Sequence, residues 1–348
     1  MNCSWWGKVA IYYLLKTDHA QRRKTMKKMM VIPALLLLLV PGLTMAQTFP
    51  TKPINIVVSA AAGGTTDIPT RILASKAEKI LGQPIIVSNK GGGGGAVALG
   101  PAKGDPPDGY HLVSHTSVAM MWYQQFRDLP YSHKDFVPVL QWGHAGAGVV
   151  VKADSSWKTL KDLVEYARKN PGKVTYSSIG VNSPPHLVMQ YIGKKEGIQW
   201  THVPFAGGAP GVSSVLGGHI TAMAGSMEWA AHVREGSLRI LAIFEDARMS
   251  QFPDVPTAKE LGYNYPNDPA AGYLISAPKG TAAPILNKLA DAFHKAMDDP
   301  EFIQTMQQME MKILYRNSKD AETYLDDAVR NLRMVIKELN IPRETEKK

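Results

Sequence analysis

Ile54-Asn55-Ile56-Val57-Val58 runs through Ala61-Ala62-Gly63-Gly64 into Thr65-Thr66-Asp67, and the architecture can be read from this stretch. The first five residues are rich in β-branched side chains, as a strand is. The small residues that follow break it. From about Thr66 onward, Ile68, Ile72, Leu73, Ala77 and Ile80 fall on one stripe, which predicts a helix. A strand, a glycine loop and a helix in succession form the unit of an α/β protein. Further along, Ile85-Ile86-Val87 reads as a second strand, followed by the glycine run Gly91–Gly95, and His111-Leu112-Val113-Ser114 reads as a third.

The alternation continues. Gly148-Val149-Val150-Val151 is apolar and unbroken, as a buried strand would be. Thr159 precedes a helix with Leu160, Leu163, Val164 and Ala167 on one face, and Asn170-Pro171-Gly172 stops it. Val174–Tyr176, Ile198–Val203, Ile220–Ala224 and Leu238–Ile243 are further strand candidates with helices between them. The tail is helical, with Ile285, Leu286, Leu289, Phe293 and Met297 on one stripe and Tyr324, Leu325, Ala328, Leu332, Val335 and Leu339 on another. Strands alternating with helices predict α/β architecture with largely parallel sheets. There is no internal repeat and no long low-complexity linker.

The front of the chain has another character. Lys27-Lys28, the greasy run Val31–Val40 and Thr44-Met45-Ala46 have the layout of a secretory signal peptide. The apolar run is about half of the ~20 residues a membrane-spanning helix needs, and Pro33 and Pro41 interrupt it. The expected cut follows Ala46, and Met1–Thr25 reads as an extension upstream of an ordinary signal. Cys3 lies before the cut, so the mature chain is expected to be exported, soluble and free of thiol chemistry. The formal charge of +9 is distorted by the same segment. Residues 1–46 hold seven of the 39 basic residues and one of the 30 acidic ones, leaving 32 against 29, or +3. A nucleic-acid partner would need a far stronger bias. A mature length of about 300 residues fits two domains.

The glycine run invites a phosphate-binding reading, but no G-x-x-x-x-G-K-[ST] is present and no strand–loop–helix unit there carries an acid about 20 residues on. A turned loop lining a cleft is the better account. His111 and His115 share a strand face, yet no third ligand stands near at metal-binding spacing. They read as isolated histidines, with His115 close enough to the strand end to face a cleft. Neither G-x-S-x-G nor H-E-x-x-H occurs. The loops after strands carry more. Gly63–Asp67 lies at a helix start, where free N–H groups and the dipole favour a carboxylate. Asp67 could equally cap its own helix. Ser177–His186 and Pro204–Pro210 are similar loops in the second half. Three such loops at the carboxyl ends of strands in two α/β halves describe an interdomain cleft.

On these loops and their neighbours the chain resembles the extracytoplasmic solute receptors of tripartite tricarboxylate transporters, the Bug family. Matching segments include Phe49–Ile54, Gly63–Asp67, Pro107–Tyr110, Leu129-Pro130-Tyr131, Asp135–Val139, Asn170–Lys173, His202–Phe205, Leu216–Gly218, Phe252–Thr257 and Ala277–Thr281. The resemblance implies a two-domain periplasmic-binding-protein fold of type II, the Venus flytrap, each domain a largely parallel sheet flanked by helices. Domain 1 would comprise 47–148 plus 249–348 and domain 2 would comprise 149–248, after a leader over 1–46. It implies a monomeric periplasmic receptor, not an enzyme, with no cofactor, no metal and no nucleic acid. Such a receptor would bind a small carboxylate ligand and deliver it to integral-membrane permease subunits. A sensory component and, behind it, a periplasmic enzyme on the same fold are the alternative roles.

Carried over, Gly63, Gly64, Thr65, Thr66 and Asp67 form the first wall of the site, with Thr116 and Ser117 beside them and His115 next to these. Ser178, Gly180, Asn182, Ser183 and His186 form the second wall, with Phe205, Gly207, Gly208 and Ala209. Relatives often have an acid followed by serine where this chain has Gly225-Ser226, and Ser226 joins the site on that match. Relatives also often have Asn-Pro in place of Trp122-Tyr123, and Arg-Pro-Gly near residue 91. Trp122 reads as a core aromatic ahead of a ring stacked on ligand.

Overall fold

The computed structural model describes residues 49–205, 207–266 and 269–343; the expected leader, its cut after Ala46 and Cys3 lie outside them. β1 (Ile54–Val58) leads to α1 (Asp67–Leu81), β2 (Ile85–Asn89), α2 (Ala96–Ala102) and β3 (His111–Thr116). A π-helical turn over Val118–Trp122 precedes β4 (Phe136–Ala145), which passes almost directly into β5 (Gly148–Lys152). Next come α3 (Leu160–Lys169), β6 (Thr175–Ser178), α4 (Pro184–Glu196), β7 (Thr201–Pro204) and α5 (Gly208–Leu216). β8 (Ala222–Gly225), α6 (Ala230–Arg234) and β9 (Leu238–Ile243) follow. The chain ends with β10 (Ala271–Pro278), α7 (Ala283–Ala296), α8 (Pro300–Gln308), β11 (Lys312–Asn317) and α9 (Ser318–Leu339).

The first sheet has the order β11-β4-β10-β3-β1-β2 and the second β7-β6-β8-β5-β9. β1 runs parallel to β2 and β3, and β6 parallel to β7 and β8. The remaining pairs, all involving β10, β4, β11, β5 or β9, are antiparallel. The α/β class holds, but the sheets are mixed rather than largely parallel. The reason is connectivity. The chain leaves the first sheet along β4 and enters the second along β5 across Gly146-Ala147 alone, then returns through β9 to β10. A strand coming back beside the one that left must run against it.

Local chemistry fixes the element ends. At the start of α3 the Asp162 amide donates to Thr159 Oγ1 at 3.1 Å and the Thr159 amide donates to Asp162 Oδ2 at 2.8 Å. This reciprocal cap satisfies two donors the helix leaves open. Leu160, Leu163, Val164 and Ala167 then sit buried against Val149, Tyr176 and Ala222 of the second sheet. α1 stops at Gly82, whose φ of 71° lets its amide turn back to Glu78 O. Its buried face is Thr70, Leu73, Ala74, Ala77 and Leu81, while Ile80 is 46% exposed. The expected stripe was therefore rotated by part of a turn. Trp122 is buried in the core under the first sheet with Leu274, Leu325 and Leu332. Among the described residues no helix is long and apolar enough to cross a membrane.

Candidate binding cavity between the sheets

A cavity of about 500 Å³ opens between the carboxyl ends of the parallel strands of both sheets. From the first sheet Ser59 after β1, Thr116 at the end of β3 and Tyr273 of β10 face it, with Thr65 and Thr66 from the loop before α1. From the second come Ser226, Met227 and Glu228 after β8, and Ile179, Pro184 and Pro185 around the start of α4. This is where open α/β sheets hold ligands, and the volume suits a small molecule. No Lys, Arg or His is among the described lining residues, and Glu228 is their one carboxylate.

The first loop is partly spent on itself. Asp67 is buried; its Oδ2 accepts the Gly63 amide at 2.8 Å and its Oδ1 accepts Arg71 Nε and Asn89 Nδ2 at 2.9 Å each. Burial alone would raise this carboxyl, but the Gly63 amide, Asn89 and Arg71 outweigh it and hold it below its ordinary value. The amides of Asp67 and Ile68 both donate to Gly64 O, at 3.0 and 3.1 Å. Pro69 has no amide hydrogen. Asp67 therefore organises the loop, and Thr65 and Thr66 are its residues on the cavity wall. Tyr273 Oη donates to Thr65 Oγ1 at 3.0 Å and fixes that side chain.

The glycine run forms the adjoining rim. Gly92, Gly93, Gly94 and Gly95 all have positive φ, between 59° and 117°, which only glycine adopts in succession. A Cβ on Gly94 would stand 2.9 Å from the Tyr123 ring, and one on Gly95 2.7 Å from Ala119 Cβ. The loop thus lies flat against the π-helical turn, and Gly92, Gly94 and Gly95 line the cavity beside Tyr123. Trp122 turns the other way: its Nε1 donates to Asn182 O at 2.7 Å, joining the first-sheet side to the loop before α4.

Of the residues expected at the site, Thr65, Thr66, Thr116 and Ser226 line the cavity and the others do not. Thr116 Oγ1 also accepts the Ala119 amide at 3.1 Å. His115 is wholly buried, with Nε2 2.8 Å from Ser276 Oγ and Nδ1 3.1 Å from Thr116 O; burial pulls its pKa down to about 4. It is a neutral core histidine. Ser117 Oγ accepts the Gly272 amide at 3.0 Å, also inside the core. Ser178 bonds to Gly180 O, His202 Nε2 and Ser183 Oγ within 3.2 Å. His186 Nδ1 meets Tyr176 Oη at 2.9 Å, and its ring lies 3.9 Å from that of His202, centroid to centroid. Burial and the second imidazole pull His186 down to about 3. This polar cluster therefore braces the loop 178–183 from behind and leaves Ile179, Pro184 and Pro185 to face the cavity. Asn182 has a φ of 58° and contributes its carbonyl to Trp122. Phe205 packs against the core beneath the second sheet, Gly207 has a φ of 115° beside open space, and Ala209 is exposed on α5. Among the described residues no group of three His, Cys, Asp or Glu could hold a metal.

Gly208 has a distinct role. A Cβ there would meet Glu228 Cδ at 2.4 Å, so the missing side chain makes room for that carboxylate. Sequence reasoning passed over Glu228. The acid stands three residues beyond Gly225, in the turn that follows β8.

Compared with known proteins, the chain matches over residues 70–341 the family described as tripartite tricarboxylate transporter family receptor. A protein encoded in the gbd 5′ region of Cupriavidus necator is 38% identical over 88% of this chain and 94% of its own length. The crystal structure of a TctC solute-binding protein from Polaromonas is similar with a TM-score of 0.72 at 29% identity, covering 84% of this chain and 99% of that one. MatC from Rhodopseudomonas palustris, solved with bound malate, is similar with a TM-score of 0.68 at 25% identity, covering 83% and 100%.

Proposed function

This chain belongs to the tripartite tricarboxylate transporter family of receptors, and on that premise we propose that it captures a small carboxylate-bearing solute in the cavity between its sheets and delivers it to integral-membrane permease subunits. One observation carries the reading. The cavity is faced from both sheets and edged by Ser59, Thr65, Thr66 and Thr116, which are hydrogen-bond donors, with no cationic side chain among its described lining. Neutral donors of this kind can hold an anion while still releasing it. The binding of malate by the Rhodopseudomonas relative supports a small carboxylate as the ligand class.

The reading extends to the molecule's working. The protein is exported to the periplasm after cleavage near Ala46 and acts there as a monomer without catalysing a reaction. Residues 47–148 with 249–348 form one domain and 149–248 the other, and the two close over the solute. A thermal-shift screen of small carboxylates tests the reading: a ligand at 100 times its Kd adds about 2.7 kcal/mol to stability. A screen in which neutral sugars or amines stabilise the protein and no carboxylate does would overturn it.

A further inference from the structure

We propose that Glu228 makes this cavity select solutes pairing a carboxylate with a cationic nitrogen, amino-acid zwitterions, over dicarboxylates of the same length. The proposal rests on the carboxylate reading above and names the solute class within it. Glu228 follows β8, and its side chain lies over Gly208. A Cβ at Gly208 would overlap its Cδ and Cγ at 2.4 Å, and a Cβ at Gly225 would come within 3.5 Å of its Oε2. Gly208 thus holds open the space this carboxylate occupies, while Gly225 makes its room for Met223 Cε, which a Cβ there would meet at 2.5 Å. Glu228 is exposed at the cavity wall, and the protein around its carboxyl group pushes its pKa above the ordinary range against the pull of the Glu228 and Ser226 amides.

No cationic side chain of the described lining answers that charge. A carboxylate facing a cavity without a counter-charge loses hydration when a solute covers it, and a second carboxylate brought beside it is repelled. An ammonium group on the solute removes both penalties. The donors at Thr65 and Thr66 then take the solute's carboxylate. The other titratable groups of the described lining are Tyr123 and Tyr273, both pushed up by burial, Tyr273 to about 12, so both stay neutral at working pH. Ammonium binding favours ionised Glu228. Zwitterion affinity therefore rises with pH through the range in which free Glu228 loses its proton, then levels off.

Calorimetric titration of the full-length mature protein with linear dicarboxylates of three to eight carbons, their α-amino and ω-amino counterparts, and 1,4-diaminobutane tests this. The expected result is that the best amino member binds at least ten-fold more tightly than its dicarboxylate partner. In Glu228→Gln, with an unchanged circular dichroism spectrum, that ratio should fall below three-fold. Dicarboxylates binding tightest to the parent protein, or a ratio unchanged in Glu228→Gln, would each overturn the proposal, whereas dicarboxylate binding that tightens as pH falls is expected as protonation of Glu228 removes the repulsion. If the diamine binds through Glu228 and nothing with a carboxylate binds, the carboxylate reading fails while the role of Glu228 stands. If no compound binds, both fall.

Discussion

Asp67 shows how a residue placed for ligand anchoring can serve its own loop. It accepts the Gly63 amide, Arg71 and Asn89 from within the fold. Replacing it by Asn removes the charge that strengthens those bonds. The expected cost at neutral pH is about 1–3 kcal/mol, read by urea denaturation. The sign of the pH dependence follows from the depressed carboxyl of the folded state. Its contribution is complete above the unfolded value near 4 and disappears as pH falls through the lower folded value, so the gap between Asp67→Asn and the parent should close below about pH 4. A gap that is constant from pH 7 to 3 would show that Asp67 acts through packing alone. Gly208→Ala separates space from charge in a second way. The added methyl must displace Glu228, a flexible side chain, so stability should fall by less than about 1 kcal/mol while the ranking of solutes changes. An unchanged ranking would mean that the position of Glu228 is immaterial.

Among the elements, those with amphipathic periods and caps were legible and those buried on both faces were not. α3 was readable from Thr159 and from Leu160, Leu163, Val164 and Ala167, and its cap is a reciprocal one. Thr159→Ala should cost about 1 kcal/mol, measurable as a lowered midpoint with an unchanged denaturant slope. β4 left no such trace. Pro138 and Gly143 interrupt it, and from Pro138 to Ala145 every residue is buried, so no polar alternation marks a strand. β10 is buried from Gly272 to Pro278 for the same reason: it lies between β3 and β4. The hydroxyls that line the cavity were legible as loop composition at strand ends. The interior bonds that withdraw His115 and Ser117 from it depend on partners far along the chain, Ser276 and Gly272, which local spacing cannot reveal. The glycine rim makes its own prediction. Gly94→Ala places a side chain at a φ of 65° and against Tyr123, so the loop must lift. Solute binding should weaken by more than ten-fold, equal to about 1.4 kcal/mol. Undiminished binding would show that the rim is not part of the site.

Over the whole molecule, several side chains join the surroundings of one sheet to those of the other, Lys195 on α4 to Glu338 on α9 among them. Trp122 reaches Asn182 O, and Arg234 from α6 holds Glu310, with Nη2 2.7 Å from Oε2. Glu310 stands between Met309 and Met311, which line the cavity. If the two halves move as proposed, this pair closes the mouth. Arg234 is half exposed, so its contribution is modest: Arg234→Ala should weaken solute binding about three-fold, or ~0.6 kcal/mol, through faster release. Small-angle scattering should show that the parent contracts on saturation with solute, and identical curves would count against closure. The strand order has a different consequence, for the history of each molecule rather than its working state. The second sheet is built from a contiguous stretch, 148–243, whereas the first needs β10 to enter between β3 and β4. A chain emerging amino end first holds those two strands with open edges until residue 278 appears, while the later-made middle segment can already be complete. In refolding of the complete chain the same topology acts through sequence separation, since β3 and β4 must find the distant β10, so pulse-labelled hydrogen exchange should protect the amides of 148–243 before those of β3 and β4. In the cell, the interval between the appearance of β4 and that of β10 is when this chain most needs a chaperone.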